Sequence, residues 1–181
     1  MLNTSFPTFD GPELTEADIT LLLAALPSMS TKDQTGLLED LEKWQAHRTI
    51  NKAKSDFLAF CAYVYPGFKE GPHHRHLKPL LHQVNAETLL RITCSMAPRF
   101  GKSETIAYLF VAWYLGHHPQ HQIMMVTHTA DLSADFGRKV RNLLDSDIYH
   151  TLFPDTIVAR DKSAASNWST TLGGTYLAIR I

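Results

Sequence analysis

The sequence predicts an α/β protein with a parallel sheet, preceded by an α-helical N-terminal region. Three observations carry this. Residues 88–145 alternate short β-prone runs with helix-patterned runs, the βαβ order that implies parallel strands. Residues 101–115, GKSETIAYLFVAWYL, are apolar almost all round after the first turn, as in a helix buried in a larger core. Residues 15–65 read as successive helices.

Each element follows from local chemistry. Residues 1–13 hold Pro7, Gly11 and Pro12 and read as a loose arm. Thr15, with Asp18 three residues on, opens a helix over 15–26 that Pro27 stops. Residues 31–50 give a more polar helix with Leu37, Leu38, Leu41 and Trp44 on one stripe. Ser55 is placed to cap a third helix carrying Phe57, Leu58, Cys61, Val64 and Tyr65, ended by Pro66-Gly67. After the Gly71-Pro72 turn a helix starts near His73, with Pro79 a kink position. Residues 89–96, LLRITCSM, read as a strand. The helix over 101–115 stops at Gly116, with Pro119 beyond. Residues 123–127, IMMVT, read as a buried parallel strand, and residues 130–145 as a helix with Leu132, Phe136, Val140 and Leu143 or Leu144 inward. Residues 176–181 give one more strand. The domain boundary falls between a helical arm, 1–54, and an α/β portion, 55–181.

Composition excludes little. The chain has 181 residues, 44% hydrophobic and 19% charged, with a formal net charge of −1. That is ordinary globular composition without the global basic field of many nucleic-acid binders. The two cysteines, Cys61 and Cys94, sit in apolar runs, which fits a reducing compartment. No signal-peptide pattern or long apolar span is visible, so the expected location is cytoplasmic.

The chemistry concentrates in SMAPRFGKSE, residues 95–104. A loop between strand and helix aims backbone N–H groups at a phosphate, and the helix N-terminus adds its dipole. Lys102 would supply a cation to the β- and γ-phosphates, and Ser103 a hydroxyl to Mg²⁺. Gly101 would allow close backbone approach. The tripeptide alone is weak evidence; its position after a β-prone run and before a buried helix is what sorts it. Met96 stands where GxxxxGK[ST] has its first glycine, and Pro98 stiffens the loop. Arg99 is either a sensor of γ-phosphate charge, in the manner of an arginine finger, or a surface arginine paired with Glu104 or another carboxylate.

MAPRFGKSE resembles the deviant Walker A of the large subunit of tailed-phage terminases. AWYLGHHP, ADLSADFGRKVRNLLDS, LFP and, upstream, FLAFCAYVYPGFKEGPHHRHL fit the same family, over roughly residues 55–175. The resemblance implies a RecA-like P-loop ATPase core that hydrolyses ATP with Mg²⁺ to drive double-stranded DNA into a procapsid. It implies the small terminase subunit and the portal ring as partners, with a ring oligomer if the domain is complete. It places Pro98, Arg99, Phe100, Gly101, Lys102, Ser103 and Glu104 at the nucleotide, with Lys102 and Arg99 in catalytic roles, and GPHHRH near the adenine.

Such an ATPase also needs a carboxylate at the end of an apolar strand. None follows the loop: Asp145 and Asp147 end a helix, and Asp155 follows Phe-Pro. The expectation is a domain truncated before that acid, without the family's nuclease domain, binding ATP with negligible turnover. The alternatives are an inactive prophage fragment or another helicase-like P-loop ATPase.

Ten histidines invite a metal reading, with His73, His74 and His76 in one group and His117, His118 and His121 in another. No cysteine or acidic pair beside either group completes a site, so helix-end histidines are the favoured reading. Arg138, Lys139 and Arg141 on one helix are read as a solvated face rather than a DNA contact.

Overall fold

The computed structural model describes residues 15–180, so the expected arm over 1–13 and the terminal Ile181 lie outside the described residues. The chain divides into two compact units, Met1–Thr49 and Ile50–Ile181.

In the first unit, α1 (Glu16–Ala25) opens at Thr15, whose side chain accepts from the Asp18 N–H while the Asp18 carboxylate accepts from the Thr15 N–H. Both ends of this capping box come from the spacing of two residues. Pro27 sits in a short 3₁₀ turn, Leu26–Ser28, which ends the helix. The long helix α2 (Thr31–Ser55) crosses the division between units. Of its predicted stripe, Leu37 and Leu41 are buried, whereas Leu38 is exposed.

The second unit holds the core. Helix α3 (Phe57–Val64) is capped not by Ser55 but by Asp56, whose carboxylate accepts the Leu58 and Ala59 N–H groups at 3.0 Å. Ser55 stays within α2 and donates back to the Asn51 carbonyl. Helix α4 (Pro72–Asn85) carries Pro79 inside it. A helical run from Lys102 to His117 follows, containing a wide π-helical stretch, Glu104–Phe110, and then α5 (Val111–His117). Each extra residue absorbed in a π turn rotates the downstream face by about 100°. Val111, Ala112, Trp113 and Leu115 are all buried, as the all-round apolar pattern requires. Gly116 is not the stop. It lies inside α5 where an added Cβ would strike the Phe153 ring, so its role is close packing.

Among the described residues the sheet has four strands in the order β1-β4-β3-β2: β1 (Gln122–Thr127), β2 (Val158–Ala164), β3 (Asn167–Thr170) and β4 (Thr175–Arg180). β1 and β4 pair in parallel from Gln122↔Thr175 to Thr127↔Arg180, while β2–β3 and β3–β4 are antiparallel. The sheet is therefore mixed rather than wholly parallel, because the β2–β3 hairpin, unread in the sequence, intervenes. β1 is an edge strand with one face open: Met124 and Val126 are exposed, while Ile123 and Met125 face the core.

Residues 89–96 form no strand. Ile92, Cys94 and Met96 pack against the core while Leu90, Thr93 and Ser95 face out. The alternation that reads as a strand is present, but a ladder also needs a partner edge, and none among the described residues supplies one.

Helix α6 (Ala130–Leu144) lies over β1, β2 and β4. Its buried face is Ser133, Gly137, Val140, Leu143 and Leu144, rotated from the predicted one, since Leu132 is exposed. Gly137 makes this possible: an added Cβ would sit inside contact of the Ala165 carbonyl oxygen and 2.8 Å from Tyr176 Cε1. Trp168 stacks on Tyr176 with ring centroids 5.0 Å apart and donates its indole N–H to the Gly137 carbonyl at 3.1 Å. The short helix α7 (Asp147–Leu152) adds Tyr149, fully buried, whose hydroxyl donates to the Ala112 carbonyl at 2.8 Å.

Candidate functional site: the loop before α5

The loop over 95–101 is anchored at its start and bent at its end. Met96, in the position of the first glycine, is half-buried and packs against the core. The conformational work falls on other residues. Arg99 has φ 68° and Gly101 φ 75°, both left-handed. Pro98 followed by a left-handed residue matches the type II turn pattern, with Arg99 where glycine or asparagine is usual. A non-glycine residue held there costs of order 1–2 kcal/mol, and such strain concentrates at binding sites.

The helix then starts at once. The Thr105 N–H donates to the Gly101 carbonyl at 2.8 Å. The N–H groups of the preceding first-turn residues have no intrahelical carbonyl and point out of the helix start. Lys102 and Ser103 are exposed at this end, as are Pro98, Arg99 and Phe100. One helix N-terminus, one lysine and one hydroxyl thus share a turn at the protein surface, an arrangement suited to a phosphate.

Glu104 is engaged elsewhere. Its carboxylate accepts from Lys139 Nζ on α6 at 3.1 Å. The same ammonium lies 5.8 Å from the Tyr108 ring centre and 5.7 Å from that of Phe136. Burial first, and the Glu104 charge second, push the Tyr108 hydroxyl up to about 12. Glu104 pairs with Lys139, not with Arg99, so that surface pairing of Arg99 does not form. Arg138 pairs with Asp135 at 2.7 Å and Arg141 donates to Asn142 Oδ1, so the basic face of α6 is bonded within the protein.

The first turn of α4 lies beside the loop. His73 places its ring 5.7 Å from that of Phe100, and its Nε2 is buried without a partner. His74 is buried at 7% exposure, and its Nδ1 accepts the Gly71 N–H at 3.0 Å. An added Cβ at Gly101 would come 3.9 Å from His74 Nε2, in ordinary contact. Burial, and then the neighbouring His73, hold the His74 imidazole below its usual range, so it stays neutral. At the far end of the unit, Glu87, His118 and His121 bring metal-type ligand atoms within 4.8 Å of one another. The sequence showed the two histidines but not the acid, which comes from the turn after α4. Among the described residues, His73 and His76 join no such group of three.

Residues 93–177 match the family model described as terminase large subunit, T4likevirus-type, N-terminal. This part of the chain is terminase-like. The match takes in the loop, α5, β1, α6, α7, the hairpin and the first half of β4, and starts downstream of α3 and α4. No curated protein matches the chain, and no solved structure does. No helix among the described residues is long and apolar enough to cross a membrane.

Proposed function

We propose that the terminase-like segment binds the phosphates of ATP with Mg²⁺ at the loop, as the front part of a RecA-like motor core that drives double-stranded DNA into a procapsid. One observation carries the reading. The loop bends through left-handed Arg99 and Gly101 straight into a helix start where Lys102 and Ser103 are exposed, inside the matched segment. Lys102 would neutralise the β- and γ-phosphates, and the Ser103 hydroxyl would hold the metal. Arg99, not paired with Glu104, is free to follow γ-phosphate charge. His73 Nε2, buried and unpartnered beside Phe100, is the polar atom best placed to meet a base.

Within the described residues β1 runs out at Thr127 and β4 at Arg180, so no carboxylate among them ends a strand. Binding is the activity proposed for these residues, and hydrolysis and translocation are those of the family. Portal ring and small subunit enter as partners on the same footing.

Nucleotide binding to the purified chain, measured by calorimetry with and without Mg²⁺, tests this. Lys102→Ala is expected to abolish ATP binding while leaving the thermal midpoint within a degree or so, since exposed sites are worth little to stability. Equal affinity in Lys102→Ala would sink the cradle.

A further inference from the structure

We infer a second site in the same unit: a divalent transition-metal centre of the zinc class built from Glu87, His118 and His121. It does not depend on the nucleotide loop.

The sequence HHPQH builds half of it. Residues 118–121 form a tight turn closed by the His121 N–H donating to the His118 carbonyl at 3.0 Å. Pro119 sits at the second position, where its fixed φ suits such a turn. The turn brings the two imidazoles onto one side, stacked with centroids 4.7 Å apart and planes 14° from parallel. The acid arrives from the exit of α4. Glu87 is held at φ 57°, a strained left-handed conformation for a glutamate, and its Oε1 lies 3.6 Å from His121 Nδ1. At that distance no hydrogen bond is made.

Each ring has one nitrogen beside a fixed oxygen. His118 Nε2 lies 2.8 Å from the Asn85 carbonyl, an acceptor only, so Nε2 carries the proton and Nδ1 the lone pair. His121 Nδ1 lies 2.9 Å from the Tyr114 hydroxyl; when it donates there, Nε2 carries the lone pair. A ring N–H given to a backbone carbonyl or another oxygen is the support metal-ligating histidines use. A tetrahedral ion with bonds of 2.0–2.1 Å sets its ligands about 3.4 Å apart. Ligand atoms already within 4.8 Å reach that by small side-chain rotations. Two imidazoles and one carboxylate suit Zn²⁺, with a fourth position left to water. The ion would clip the end of α4 to the turn between α5 and β1.

The test is Zn²⁺ titrated into tag-free, chelator-stripped full chain, with Co²⁺ as a spectroscopic probe. One equivalent is expected to bind, to raise the thermal midpoint and to give Co²⁺ the strong visible bands of a four-coordinate site. Glu87→Gln changes an exposed residue and should fold. It is expected to weaken binding by more than the roughly 10–100-fold that losing an outer-shell partner costs. His118→Gln should do the same, and His76→Gln should leave binding intact. Absence of stoichiometric binding, binding unchanged in Glu87→Gln, or binding lost in His76→Gln instead would each overturn the site.

Discussion

Replacing Gly137 with alanine puts the packing of α6 on the sheet to a quantitative test. The new Cβ would fall inside contact of the Ala165 carbonyl oxygen, and at 2.8 Å from Tyr176 Cε1 it is about 0.6 Å short of an ordinary 3.4 Å contact. Neither neighbour can move cheaply. Ala165 is backbone of the β2–β3 turn, and the Tyr176 ring is stacked on Trp168, whose indole is itself bonded to the Gly137 carbonyl. Overpacking costs about 1–3 kcal/mol, and the rigidity here argues for the top of that range. Alanine recovers about 1 kcal/mol as the better helix former. The net loss is about 2 kcal/mol, a fall of about 4–8 °C in thermal midpoint for a chain of this size. Circular dichroism melting measures it. Gly36→Ala on α2, where an added Cβ meets nothing within 4 Å, should show the propensity gain alone and rise. A Gly137→Ala midpoint equal to or above wild type would refute the close approach. Because Lys139 rides on the same helix, the displaced helix should also loosen its bond to Glu104.

Other outcomes follow from the same contacts. His74 and His82 each accept a backbone N–H, from Gly71 and Phe57 respectively, and both are held below the ordinary 6.5, chiefly by burial. The unfolded chain then binds more protons, so their contribution to stability is complete above about pH 6.5 and is lost as pH falls through the lowered values. Urea midpoints taken at about pH 8, 6.5 and 5 should decline over the lower interval, and His82→Gln, which keeps an acceptor but does not titrate, should flatten the slope. An equal decline in His82→Gln would reject its share. At Gly101 the added Cβ of alanine meets only ordinary contacts at 3.9 Å, so the cost is the left-handed φ, about 1–2 kcal/mol of stability. Calorimetry should show nucleotide affinity falling by more than this stability loss explains, and affinity unchanged would argue that phosphate does not approach that backbone.

Local chemistry was readable in this chain, and pairing was not. Thr15 with Asp18 announced a capping box, and the run after Lys102 announced a buried helix, because both signals lie within a few residues. The strand reading of 89–96 rested on alternation, which reports which side chains face the core, and Ile92, Cys94 and Met96 do. Whether that chain joins a sheet depends on an edge elsewhere, which no local pattern encodes. The β2–β3 hairpin escaped for the opposite reason: its strand β3 is four residues long, too short for a periodic signal. At the loop, the residue types were legible but their division of labour was not. Met96 looked like a missing glycine, whereas the backbone takes its left-handed turn at Arg99 and uses Met96 as an anchor.

The sequence reading favoured helix-end roles for the histidines over a metal, and the roles the structure gives them share one physical cause. Neutral imidazole offers one donor and one acceptor nitrogen, so it can meet either kind of helix-end group. His74 and His82 accept N–H groups at the starts of helices α4 and α3, where orphan donors need partners. His118 is paired with the orphan Asn85 carbonyl at the end of α4, while His117 Nδ1 lies 2.9 Å from the Trp113 carbonyl one turn back in α5. Helix α4 buries His74, Leu77 and Leu81, so the bond of His82 to α3 and that of the Asn85 carbonyl to His118 do much to locate it. That placement sets its first turn against the loop over 95–101 and its exit against the imidazole pair. The histidines here first serve groups at helix ends, and among the described residues a metal reading becomes warranted where a carboxylate joins two of them.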